Sequence, residues 1–287
     1  MDQGKSNRKA IVIWLALVVL LFIGAMLTGQ EGVHGESVQT AMRDAVLHDT
    51  NKVSLFGLMN VNPAFISAII MTAVLLIAAA LIRIFVIPGF TEVPGRFQLI
   101  LETAVGYFTD LAKKHCPEKS NLLGGYIFAA GAYIFTSTLF ELLGVQVIST
   151  EGASISLPAP ISDINAAIAM GCMSYLFIML GGVLGNGVKG VGYTLKEYSL
   201  PISMSFRLFG ALLSGLLVTE LVYHTIYLSV VLPVVVAVMF TLLHAVIQAY
   251  VLTLLVSIYF GEVSEPHKKK KSKAVKDTEA AAEGRAA

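Results

Sequence analysis

Five stretches of this chain contain no Asp, Glu, Lys or Arg: Ala10–Thr28, Val53–Ile82, Ser120–Phe140, Ile164–Val188 and Leu221–Gly261, the last 41 residues long. A sixth, Tyr198–Thr219, is broken only by Arg207. A helix crossing a bilayer needs roughly 20 mainly apolar residues. A soluble fold can bury one such helix at its centre, but not six. The pattern therefore predicts an all-α integral membrane protein of about six spanning helices, at 10–28, 62–82, 120–140, 164–185, 198–223 and 232–261. The 41-residue run holds the end of the fifth span, a turn near Thr225–Pro233 and the whole of the sixth.

Between the spans the pattern changes. Residues 29–61 read as an external, largely polar segment ahead of a transmembrane core at 62–262. From Pro94 to Lys114, Phe97, Ile100, Leu101, Ala104, Val105, Phe108 and Leu111 recur at helical spacing, while Glu102, Thr109 and Asp110 fall elsewhere. That is an amphipathic helix, suited either to the membrane interface or to packing on other helices. Residues 263–287 are Lys-rich and then Ala/Glu-rich, and offer too little apolar surface to fold. The four lysines Lys268–Lys271 are placed to meet anionic lipid.

Composition sharpens the picture. Only 14% of residues are charged and 56% are hydrophobic, against about 25% charged in soluble domains. The net charge of +1 is uninformative, but its distribution is not. With the N-terminus inside, 17 of the 20 basic residues fall on the inner side; Arg43 and Lys52 fall outside and Arg207 within a span. Inner loops are enriched in Lys and Arg, so both termini are expected in the cytoplasm. Lys5, Arg8 and Lys9 ahead of residues 10–28 fit a retained helix, and they also fit a cleaved signal peptide. Cleavage would leave five core spans in the same orientation. Cys116 and Cys172 lie in different segments without metal-ligand spacing, and read as free thiols.

The chain has no phosphate-binding loop, metal cluster or nucleophile triad, nothing that calls for a cofactor, and no sign of nucleic-acid binding. Its chemistry rests on polar groups at membrane depth, which are costly there and functional by default. Arg207 stands about nine residues into the fifth span, in Pro201-Ile-Ser-Met-Ser-Phe-Arg-Leu-Phe-Gly. Its guanidinium stays charged, and its helical neighbours Ser203, Met204, Gly210 and Ala211 supply no acid. The partner must come from elsewhere, and the small residues around it would let another helix approach. A structural arginine reaching a headgroup is the plainer reading. Gln248, one turn after His244 in the last span, falls near the depth of Arg207 in an antiparallel hairpin, where its amide could steady the cation; interhelical packing would also account for it. Glu220 and His224 are one turn apart near the outer end of the fifth span, as a proton relay or as a stabilising pair.

At these residues the chain resembles subunit a of F-type ATP synthases. Ser205-Phe-Arg-Leu-Phe-Gly resembles that family's arginine segment, and Gln248-Ala-Tyr followed by Thr-Leu-Leu-Val-Ser-Ile-Tyr resembles its final helix. Val93-Pro-Gly-Arg-Phe-Gln with Glu102, and Pro160-Ile-Ser-Asp-Ile-Asn, resemble two further segments in the family's order. The resemblance implies a non-catalytic, ion-translocating subunit in the inner membrane of a bacterium. It would lie against a ring of proteolipid c subunits and be joined by peripheral-stalk b subunits and the rest of the synthase. It also implies two long inclined helices, two aqueous half-channels and an essential arginine, Arg207, facing the ring carboxylate. Ser203 and Gln248 would support Arg207. Glu220, His224, His244, Asp163 and Asn165 would line the external half-channel, and Glu197 the cytoplasmic one.

The sequence also departs from the family pattern. Where a common pattern has Asn four residues after the arginine and an acid five further on, this chain has Ala211 and Leu216. Its acid appears one turn later, at Glu220. The rival readings are a secondary transporter or ion channel, which would commonly carry an internal repeat, and a non-transporting scaffold, which would leave Arg207 without a purpose.

Overall fold

The computed structural model describes residues 53–55, 59–148, 154–224 and 232–265, with backbone alone at 54–55, 59–60, 154, 216, 219–220, 222–224 and 232–234. The expected first span at 10–28 and the Lys-rich tail lie outside the described residues. Helices follow the expected pattern closely. They are α1 (Pro63–Leu81), α2 (Arg96–His115), α3 (Ser120–Phe140), α4 (Ile164–Asn186), α5 (Val188–Leu195), α6 (Ser199–His224) and α7 (Leu232–Ser264). Four helical segments, Pro63–Gly89, Pro117–Leu143, Ile164–Asn186 and Val235–Ser264, are long and apolar enough to cross a membrane. The 26-residue α6 occupies the place of the expected fifth span, 198–223.

Local chemistry sets the helix ends. Asn62 caps α1 by accepting from the Ala64 N–H at 3.0 Å, with Pro63 at the first helical position, where its missing N–H costs nothing. Past Leu81 the helix widens into a π turn at Ile82–Val86 and tightens at Ile87–Gly89, carrying the span beyond its expected end at 82. Asp163 caps α4 in the same way, accepting from the Asn165 N–H at 3.1 Å. Gly187 ends α4 at φ 62°, ψ −148°, a conformation open essentially to glycine alone.

Two short antiparallel hairpins depart from the all-helical expectation. β1 (Val53–Leu55) pairs with β2 (Met59–Val61), and β3 (Gln146–Ile148) with β4 (Ser154–Ser156). The first uses the opening residues of the uncharged run 53–82, so that run is a hairpin followed by a span. The second precedes a 3₁₀ turn, Pro160–Ser162, that leads into α4.

The chain divides into two compact units, whose described residues fall within 53–212 and 241–265 in the first and within 213–224 and 232–240 in the second. In the second, the described chain is helical at 213–224 and 232–240. The first holds the core: Leu123, Ile127 and Ile134 of α3, Met170 and Ile178 of α4, Met204 and Leu208 of α6, and Leu252, Val256 and Phe260 of α7. Small residues bring the backbones together, as expected where lipid removes the hydrophobic drive between helices. A Cβ at Gly181 would stand 2.6 Å from the Phe260 ring, and one at Gly185 would run into the Ser264 backbone. Tyr126, Phe177 and Phe260 stack in sequence, with centroids 3.9 and 5.0 Å apart. Leu76 and Ile77 of α1, with Ile84 and Phe85 beyond it, face outward, as a bilayer-facing surface requires. Three buried hydroxyls, those of Ser67, Thr138 and Thr253, are satisfied within their own helices, donating to carbonyls four residues back.

Helix α2 packs on other helices along part of its length. Its C-terminal half packs inward through Phe108, Leu111 and the fully buried Ala112. Ser257 of α7 donates to the Leu111 carbonyl at 3.3 Å. Its N-terminal half turns Phe97 and Ile100 outward.

Candidate functional site

Helix α6 presents two faces. Leu200, Met204, Ser205 and Leu208 are buried. They pack towards α4, where Gly171 lets the Ser205 side chain and the Pro201 carbonyl come close. The opposite strip, Ile202, Ser203, Phe206, Arg207 and Gly210, is exposed. The spacing produces this: buried positions recur at three and four residues, and the strip holding Arg207 falls between them. No carboxylate among the described residues lies within ion-pair distance of Arg207. Beside it α4 and α6 leave an apolar groove of about 240 Å³, lined by Ile168, Cys172, Ile202 and Phe206 among others. A permanent cation is thus displayed on an apolar, outward-facing surface, flanked by the exposed Ser203 hydroxyl.

Gln248 lies in the middle of α7 and is buried, between buried Ala245 and Leu252. His244, one turn earlier, is half-buried and has a partner of its own. Glu220 and His224 belong to the last turns of α6; their side chains lie outside the described residues. Asp163 and Asn165 come together at the start of α4, where one Asp163 oxygen accepts from both the backbone and the side-chain nitrogen of Asn165.

Glu197 is exposed in the turn between α5 and α6 and lines a cavity of about 150 Å³ with Asn186, Tyr193, Tyr259, Glu262 and Glu265. Asn186 ties the end of α4 to that of α7 by donating to the Val263 and Glu265 carbonyls, each at 3.0 Å. Glu262 was not among the sequence candidates. Its signal was available, since it is the first charged residue after the 41-residue uncharged run.

The other resemblance segments prove to be structural joints. Gln98 accepts from the Thr91 N–H at 3.2 Å, donates to the Thr91 carbonyl at 2.9 Å and donates to Glu102 at 2.7 Å, closing the loop ahead of α2. Pro160-Ile-Ser-Asp supplies the 3₁₀ turn and the cap of α4.

A family model described as ATP synthase A chain matches residues 64–261, well over half of the chain. The chain belongs to the ATP synthase A chain family. As an A chain it is a multi-pass membrane subunit of the ATP synthase, and α1 to α7 all fall within or border the matched span. Arg207, Gln248, Asp163 and Glu197 likewise lie inside it.

Proposed function

We propose that this A chain is the ion-translocating stator of a rotary ATP synthase, in which Arg207 faces a carboxylate presented by a ring of c subunits. The observation that carries the reading is the arginine itself: mid-helix, permanently charged, exposed on an apolar strip, and unpaired among the described residues. A cation at membrane depth costs about 2.5–3.5 kcal/mol on insertion scales, so a counter-ion from a moving partner explains it. Gln248 and Ser203 support the guanidinium without neutralising it. Glu220, His224 and His244 line the external half-channel with Asp163 and Asn165 at its rim, and Glu197 opens the cytoplasmic one. Helix α7, with 33 residues, is about 50 Å long at 1.5 Å per residue, against about 30 Å of hydrocarbon. That excess supports strong inclination against the ring. Peripheral-stalk b subunits complete the stator, and both termini lie on the cytoplasmic side of a bacterial inner membrane. The test is ATP synthesis driven by an imposed ion gradient in membranes carrying Arg207→Ala. Synthesis is lost while the complex remains assembled; normal rates would sink the assignment.

A further inference from the structure

Helices α1, α3 and α4 do not close against one another. They leave a cavity of about 640 Å³ lined by Ala64, Phe65, Ala68 and Thr72 of α1, Tyr126, Ala130 and Tyr133 of α3, and the first turns of α4 from Asp163 to Met173. Three features describe what would fill it. Its walls are apolar and small, chiefly alanine and methionine. Its hydroxyls have partners in the protein: Tyr126 donates to Ser174 at 2.9 Å, and Thr72 donates to the Ala68 carbonyl at 2.7 Å. Water needs two to four free polar partners to stay, so this is a poor aqueous path. The groove spans nine residues of α1, from Ala64 to Thr72, and nine of α4, from Asn165 to Met173. The eight steps between the ends make about 12 Å, close to the hydrocarbon depth of one leaflet, about half of 30 Å.

The mouth completes the description. Among the described residues, Asp163 is the only charged one lining the groove, and no Lys or Arg does. One Asp163 oxygen takes both bonds of the α4 cap, leaving the other without a protein partner among the described residues. We infer that this groove holds one acyl chain of a zwitterionic aminophospholipid, with the headgroup ammonium on the Asp163 carboxylate. A lipid with a net negative headgroup finds a like charge there and no cation, so it binds less well. The chain fills space that α1 leaves open against α4, and thereby ties the first core helix to the bundle. The groove shares Asp163 and Asn165 with the proposed rim of the external half-channel but takes in neither Arg207 nor Glu220, and the inference does not depend on the roles given to those two.

The test uses the whole synthase complex reconstituted in vesicles containing a trace of diazirine-tagged lipid. One arm carries tagged phosphatidylethanolamine and the other tagged phosphatidylglycerol, and cross-linked residues are mapped by mass spectrometry. Phosphatidylethanolamine is expected to label Phe65, Ala68, Met170 and Met173, roughly two- to fivefold more than phosphatidylglycerol, the fold-change of a partly exposed ion pair. Asp163→Asn keeps a good cap residue and should bring the two lipids to parity. Ala169→Trp fills the groove and should reduce labelling to that of the outer face of α1. Equal labelling by both lipids in the unmodified complex would overturn the headgroup assignment. Absence of groove labels would overturn the site. Rapid modification of an Ala68→Cys variant by a membrane-impermeant maleimide would show the groove to be a water path instead.

Discussion

Arg207 shows how far one side chain can be argued from its neighbours. Its cost, its fixed charge and the absence of an acid on its own helix are all in the sequence, and they point to a partner outside the chain. The structure adds that it stands on the exposed strip of α6, while Met204 and Leu208 hold the other side in the core. If the ring carboxylate is that partner, Arg207→Lys should fail almost as completely as Arg207→Ala in gradient-driven synthesis. A point ammonium that can shed its proton does not replace a planar, permanently charged fork. Wild-type rates with lysine would show that any cation suffices. The displaced acid is tested in the same way. In vesicles bearing the membrane sector stripped of its catalytic head, Glu220→Gln should slow passive ion flux and Glu220→Leu should nearly stop it. Unchanged flux in both would remove Glu220 from the path. Glu262 shows the opposite case, in which sequence reading stops short. It gains a role as a candidate only because α5 and α7 bring Tyr193 and Tyr259 beside Glu197, and no linear spacing encodes that meeting.

At the scale of elements, the crossing of α4 with α7 is sensitive to a single methyl group. Gly181 meets the Phe260 ring and Gly185 meets the Ser264 backbone. A ring can shift, whereas a backbone cannot. Gly185→Ala should therefore destabilise the folded subunit more than Gly181→Ala, with overpacking of this kind costing about 1–3 kcal/mol. Thermal unfolding of the detergent-solubilised subunit, followed by cysteine accessibility at buried Cys116, would rank the two. An equal or reversed ranking would show that the crossing relaxes elsewhere. Helix positions were legible because uncharged runs and amphipathic spacing are strong, long signals; the expected span at 120–140 matches Ser120–Phe140. The hairpins were not legible, because three-residue strands are too short to show alternation. β1 and β2 also sit inside a run whose apolar character reads as one helix. The π turn at Ile82–Val86 has no sequence signature beyond Arg83, and the lipid groove exists only where three helices fail to close.

For the whole molecule, the distribution of charge makes the strongest statement, and it can be tested without reference to mechanism. Lysine and arginine cluster on alternate connections: Arg83 to Lys119 before α3, Lys189 and Lys196 between α4 and α6, and Lys268 onward after α7. The described helices give these clusters a consistent place. Lys113, Lys114 and His115 end α2 and Lys119 precedes α3, while the hairpin of β3 and β4, on the opposite connection, carries no basic residue. Lys and Arg beside membrane spans favour the inner side, so the seven after α7 predict a cytoplasmic C-terminal end. Tags at Lys119 and at the C-terminus should report the cytoplasm, and a tag at Glu151 the outside. The discriminating site is Glu151, since the only charge in the connection from 149 to 153 is acidic, which contributes little to orientation. With Lys119 inside, a cytoplasmic report there would mean that α3 fails to cross, even though it has the length and hydropathy to do so. It would also place Asp163 on the cytoplasmic side, where it could not stand at the rim of an external half-channel. The same measurement therefore bears on both the topology and the proposed ion path, and an outside report leaves the path standing on the flux measurements at Glu220.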